Sequence, residues 1–114
     1  MPDNTLENEK MMRDNAGKHK LSYLLDFPNA IKSWVKVMEF GAEKYQRNNW
    51  KKGGPVTECE DSLLRHLLAF HQCEDHDAES KELHLGHVMF NAAAIIESLA
   101  EHGTKFDDRY RDDK

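Results

Sequence analysis

Apolar residues at Ile31, Trp34, Val35, Met38 and Ala42 recur at spacings of three and four, which places them on one face of a helix from Pro28 to about Gln46. Pro28 suits the first turn of such a helix, where no backbone N–H is required. Gly41 lies inside this segment and costs about 1 kcal/mol relative to Ala, so a close helix contact is expected there. A second stripe of Leu63, Leu64, Leu67, Leu68 and His71 predicts a helix from about Glu58 to Cys73, opened by Thr57 and Glu60 as a capping box. Leu85, Val88, Met89, Ala92, Ile95, Ile96 and Leu99 predict a third helix from about Lys81 to His102, with Gly103 as its stop. No segment shows the alternation of a strand. The fold class is therefore all-α: a bundle of three long helices, with a fourth, short helix available from the N-terminal region. Three amphipathic helices cover one another poorly, so a homo-oligomer is expected.

At 114 residues the chain is expected to form one domain. Residues 1–17 are polar and read as a flexible N-terminal arm, 18–103 as the helical domain, and 104–114 as a charged, solvated C-terminal tail. Between the first two helices, Arg47 to Pro55 forms a loop carrying three cations and Trp50; between the last two, Glu74 to Ser80 is a dense acidic connector. No apolar run reaches the roughly 18 residues of a membrane span, and the N-terminus does not read as a secretory signal. Cys59 and Cys73 stand fourteen positions apart without a CxxC pattern, as expected of reduced thiols in a cytoplasmic protein. The net charge of −5, from 16 basic and 21 acidic residues, argues against a nucleic-acid coat. It leaves room for a small anionic ligand.

The candidate chemistry is concentrated on the connector and its flanks. Five of the seven histidines fall between His66 and His87. His84, His87 and Asn91 share one helical face, and Asp61, Arg65 and His66 follow similar spacing on the preceding helix. Between them lie Glu74, Asp75, Asp77 and Glu79. Clustered carboxylates suit Mg²⁺ or Mn²⁺ and through it a polyphosphate; mixed histidine and carboxylate ligands suit Mn, Fe or Zn instead. Each pattern also has a plain structural origin. An acidic loop is commonly just solvated, boundary histidines commonly bond backbone carbonyls, and Trp50 could simply pack its loop. Glu39 and Glu43 form either a paired-carboxylate site or a polar face with Lys36 and Lys44. Neither cysteine has the flanking pattern of a nucleophile.

Several strings occur in a recognisable order: Phe40-Gly41-Ala42-Glu43-Lys44-Tyr45, Asn49-Trp50-Lys51-Lys52-Gly53, Leu63-Leu64-Arg65-His66-Leu67-Leu68-Ala69-Phe70, Glu74-Asp75-His76-Asp77-Ala78-Glu79-Ser80 and His84-Leu85-Gly86-His87. In this order, over about residues 18 to 97, the chain resembles the phage family described as the N-terminal domain of dATP/dGTP diphosphohydrolase, related in function to the all-α MazG-like nucleotide pyrophosphohydrolases. The resemblance implies a metal-dependent domain that hydrolyses purine deoxynucleoside triphosphates to monophosphate and pyrophosphate, with Mg²⁺ or Mn²⁺, reshaping a phage-infected host's nucleotide pool in the cytoplasm. Carried onto this chain, it implies Glu74, Asp77 and His66 as catalytic residues and Asp61, Glu74, Asp75 and Asp77 as metal ligands. Tyr45, Asn49, Trp50, Lys52, Arg65, His84 and His87 would contact the nucleotide, with Trp50 or Tyr45 on the base and Arg65 and Lys52 on phosphate. The histidines would serve as metal ligands or ligand contacts. Two departures stand out. Lys81 occupies the position after Glu-Ser where the family has Gly, and of the MazG-like Glu-x-x-Glu plus Glu-x-x-Asp signature only Glu58-x-x-Asp61 is present. The second departure supports an alternative: a non-catalytic nucleotide-binding protein, such as a phage sponge for a nucleotide-derived immune signal.

Overall fold

A computed structural model of the chain describes residues 9 and 11–112. Its long elements are three α-helices: α1 (Pro28–Lys44), α2 (Val56–His71) and α3 (His84–His102). Short 3-10 turns lie at Leu21–Asp26, before α1, and at Asn49–Lys52, in the loop between α1 and α2. Among the described residues the one piece of β-structure is an isolated bridge between His76 and Leu83. Of the arm expected over 1–17, residues 1–8 and 10 lie outside the described residues, and Met11 to Gly17 is exposed.

Helix α3 packs against both α1 and α2, whereas α1 and α2 scarcely meet. The result is an open layer of helices in the order α1–α3–α2, with α3 as the shared middle member. The pairs His66–His84 near one end and Ser62–Asn91 further along show that α2 and α3 run antiparallel. Among the described residues, Val37 and Val56 are the buried hydrophobic side chains, and none is wholly sequestered. Much of each apolar stripe faces outward: Leu64, Leu68 and Ile96 are 51%, 55% and 67% exposed.

The close helix contact falls at Gly86 and not at Gly41. A Cβ on Gly86 would stand 2.5 Å from Ser33 Oγ and 3.1 Å from both the Ser33 carbonyl oxygen and Val37 Cγ2, while one on Gly41 would meet nothing within 4 Å. Gly86 therefore sets how closely α1 approaches α3.

Three local readings of the sequence are revised. Helix α1 ends at Lys44 and α3 begins at His84, three residues after Lys81, because Lys81 takes a left-handed φ of 67°. That conformation is easy for glycine and unfavourable for a side chain, which accounts for the glycine of the family pattern at this position. The Thr57–Glu60 capping box does not form. Helix α2 starts at Val56 without a side-chain cap of its own; instead Asp108 accepts the Thr57 N–H at 2.9 Å and the Thr57 hydroxyl at 2.5 Å, and the Phe106 carbonyl accepts the Val56 N–H. The segment after Gly103 is therefore no free tail up to Asp108. A carboxylate at a helix N-terminus is favoured by the dipole, and these bonds hold the Asp108 carboxyl below its usual range. Asp107 is buried beside it. Hydrogen bonds from Arg109, and then Arg111, hold its carboxyl well below the usual 3.8. Gly103 does end α3, in a left-handed conformation (φ 58°).

Two stability predictions follow from this packing. Gly86→Ala should lower stability by about 1–3 kcal/mol through overpacking against Ser33 and Val37, while Gly41→Ala should raise it by about 0.5–1 kcal/mol because helix propensity improves in open space. Chemical denaturation of both variants checks the pair. A carboxylate whose folded pKa is depressed contributes stability that is complete above its unfolded value and is lost as the pH falls through the folded one. Asp107→Asn should accordingly destabilise the protein at neutral pH, and the gap to the wild type should narrow as the pH drops below 3.8; denaturation midpoints across an acid series test this.

Candidate functional site

The gap that the open layer leaves between α1 and α2 is a cavity of about 1050 Å³ floored by α3. Val37, Phe40 and Gly41 of α1 line one wall and Val56, Cys59 and Ser62 of α2 the other. His87, Phe90, Asn91 and Ala94 form the floor, and Tyr45, Asn49 and Trp50 the loop rim. Asn91 is buried; its amide donates to Ser62 Oγ and to the His87 carbonyl. Lys51 lies over the Trp50 ring and Lys44 over the Phe40 and Tyr45 rings, so cations and aromatic faces are interleaved along the rim.

The Trp50 loop is pinned from behind. The Phe106 ring packs where Gly53 (φ 81°) has no side chain, and His102 Nε2 lies 3.1 Å from the Lys51 carbonyl oxygen. Asn48, in a left-handed conformation (φ 68°), turns the chain into the 3-10 segment that carries Asn49 and Trp50.

At one end of the cavity, three segments bring histidines and carboxylates together. Helix α2 ends in a Schellman motif: Cys73 takes φ 68°, its N–H bonds the Phe70 carbonyl, and the Glu74 N–H bonds the Ala69 carbonyl. This turn delivers Glu74 to His84, whose Nε2 is 2.7 Å from Glu74 Oε2. The connector is itself an ordered loop. Its Asp77 N–H and Glu82 carbonyl pair at 2.8 Å, as do the His84 N–H and the Asp75 carbonyl. Asp77 Oδ2 accepts the Ser80 N–H, and Ser80 Oγ lies 2.7 Å from His87 Nε2. His66 Nδ1 faces His84 Nδ1 at 2.8 Å, and the His66 and His87 rings stack 4.3 Å apart with 6° between their planes. One ligand atom each from His66, Asp77 and His84 lies within 4.8 Å of the others.

Burial, followed by the nearby His87, lowers the proton affinity of His66. Burial also lowers that of His87, against the pull of Asp77. Burial alone would push the Asp77 carboxyl up, but the Ser80 hydrogen bonds and the His87 and His66 rings bring it below its usual value. At neutral pH, therefore, His66 and His87 are uncharged imidazoles beside an ionised carboxylate.

The sequence-derived candidates divide between these two places. His66, Glu74, Asp77 and His84 meet in the cluster; Tyr45, Asn49 and Trp50 stand on the cavity rim; and His87 belongs to both. Asp61, Arg65, Lys52 and Asp75 are exposed and belong to neither the converging ligand atoms nor the cavity wall, although the Asp75 carbonyl holds the start of α3. Glu79 is taken up by Lys44, 2.5 Å away. Asn91, Ser80 and Phe40 are contributors to which no site role had been assigned, although Phe40 and Ser80 lie within the recognised strings and Asn91 shares a face with His84 and His87.

The family model for dATP/dGTP diphosphohydrolase, N-terminal, matches residues 8–109. A dATP/dGTP diphosphohydrolase of Salmonella phage PMBT28 is 32% identical over 94 residues, covering 82% of this chain and 31% of that protein. The chain thus spans about a third of this relative's length. No solved structure matches it. Among the described residues no helix is long and apolar enough to cross a membrane. On a match over nearly its whole length, the chain belongs to the family of dATP/dGTP diphosphohydrolase N-terminal domains.

Proposed function

We propose that the cavity binds a purine deoxynucleoside triphosphate and that the chain serves its hydrolysis to the monophosphate and pyrophosphate, as a phage enzyme of nucleotide-pool modification. The observation that carries this reading is the cavity itself. Its rim of Trp50, Tyr45 and Asn49 offers aromatic faces and an amide to a base, Arg47 and Lys51 offer charge to phosphates, and the opposite end opens on His87 and the carboxylate–histidine cluster. Family membership and the name of the phage relative support the substrate class.

In this reading water attacks the α-phosphorus and the bond to the bridging oxygen breaks, so that pyrophosphate leaves. A neutral His87, which lines the cavity beside Asp77, suits acceptance of the water's proton, and Glu74 orients His84 from behind. Mg²⁺ prefers an all-oxygen shell. Of the four carboxylates expected to hold it, Asp77 alone joins the converging atoms, in company with two imidazoles. The cluster does not fit Mg²⁺. Mn²⁺ tolerates such a mixed set.

A second reading, binding without hydrolysis, is favoured by the incomplete acidic signature: Glu58 and Asp61, the part of it that is present, are both exposed and lie outside the converging ligand atoms. One assay separates the two. The purified chain, supplied with Mn²⁺ or Mg²⁺, should release pyrophosphate from dATP and dGTP, and Asp77→Asn should abolish the release. If all common nucleoside triphosphates stay intact while calorimetry shows one binding tightly, the chain is a binding protein; if none binds, both readings fail. Trp50→Ala should weaken nucleotide binding about 5- to 150-fold, the worth of one aromatic–base stack. Trp50→Phe should recover most of it, and an unchanged affinity in Trp50→Ala would remove Trp50 from the base site.

A further inference from the structure

The pairing of His66 with His84 poses a question of protons. His84 is buried, and its Nε2 donates to Glu74 Oε2. In the neutral form of this ring, its Nδ1 carries a lone pair. That lone pair points at Nδ1 of His66, 2.8 Å away, and an Asp77 carboxylate oxygen completes a group whose members lie within 4.8 Å of one another. Two nitrogens bound to one metal at ~2.1 Å stand ~3.0–3.4 Å apart, so an opening of a few tenths of an ångström would admit an ion between them. Glu74 behind His84 is the carboxylate–histidine arrangement that orients a metal-binding imidazole. Nothing in this donor set resembles the hard oxygen cage of Mg²⁺ or Ca²⁺.

We propose that His66, His84 and Asp77 form a site for a first-row transition-metal ion of the Mn²⁺-to-Zn²⁺ series, bound through the two Nδ1 atoms and one Asp77 oxygen, with Glu74 as the positioning residue for His84. The three protein ligands leave coordination positions open toward His87 and the cavity. The site rests on the geometry of the cluster and stands whether or not a nucleotide is hydrolysed.

Metal-free protein titrated with Co²⁺ and Zn²⁺ in a calorimeter tests it. One equivalent should bind, Co²⁺ should show visible d–d bands without the near-ultraviolet thiolate band that Cys73 or Cys59 would cause, and Mg²⁺ should give no comparable heat. His66→Gln and Asp77→Asn should each lose binding at least about 10-fold, and Glu74→Gln about 10- to 100-fold as a lost outer partner. Cys73→Ser should bind as the wild type does. Circular dichroism identifies variants that fail to fold; because His66 and Asp77 lie on different segments, either one that folds suffices. Absence of binding, or undiminished binding in a folded His66→Gln or Asp77→Asn protein, overturns the site. Metal binding with every nucleotide left intact supports the site while removing the hydrolase reading.

Discussion

Helix α3 has to serve two neighbours that hardly touch each other, and the rest of the structure follows from that demand. With α1 and α2 both resting on α3, no third side closes the core, and the space between them remains a cavity. Close approach to α1 requires a residue with no side chain at Gly86, between His84 and His87. Contact with α2 is bridged by polar groups, the Asn91–Ser62 bond and the His66–His84 pair. The middle helix thus carries the tightest packing, the cavity floor and two of the three clustered histidines on one segment. Changes that shift α3 against either neighbour should therefore disturb the cluster and the cavity together.

The periodicity of apolar residues was enough to find all three long helices, because spacing of three and four is a property of the chain itself. It misplaced their ends where the deciding contact was distant or the backbone unusual. Helix α2 is capped by Asp108 from the far end of the chain, which no local capping pattern announces. Cys73 and Lys81 adopt left-handed conformations without being glycine, so the Schellman turn and the late start of α3 left no composition signal. The departure at Lys81 was visible in the sequence only as a substitution, and its physical meaning is the φ of 67°.

The candidate site was legible to a similar degree. Clustering of histidines and acids around the connector marked the region where the folded chain gathers them, and Trp50, Asn49 and Tyr45 stand together on one rim. The partition of the acids was not legible. Which carboxylate faces inward depends on the hairpin between Asp75 and His84, whose hydrogen bonds are largely between backbone groups and independent of residue type.

That partition decides what the connector can do. As a run of negative charge it would attract any divalent cation and repel a triphosphate. In the folded chain most of its members are otherwise engaged: Glu74 bonds His84, Glu79 pairs with Lys44, and Asp75 is exposed, its carbonyl spent on the start of α3. Asp77 is the carboxylate that joins the converging ligand atoms of His66 and His84, and one of its oxygens already accepts the Ser80 N–H. One carboxylate among imidazoles is a poor match for a hard cation but a nitrogen-rich donor set for a softer one. The acidic run therefore describes the surface of the connector, whereas the chemistry at its inner edge is that of the histidines.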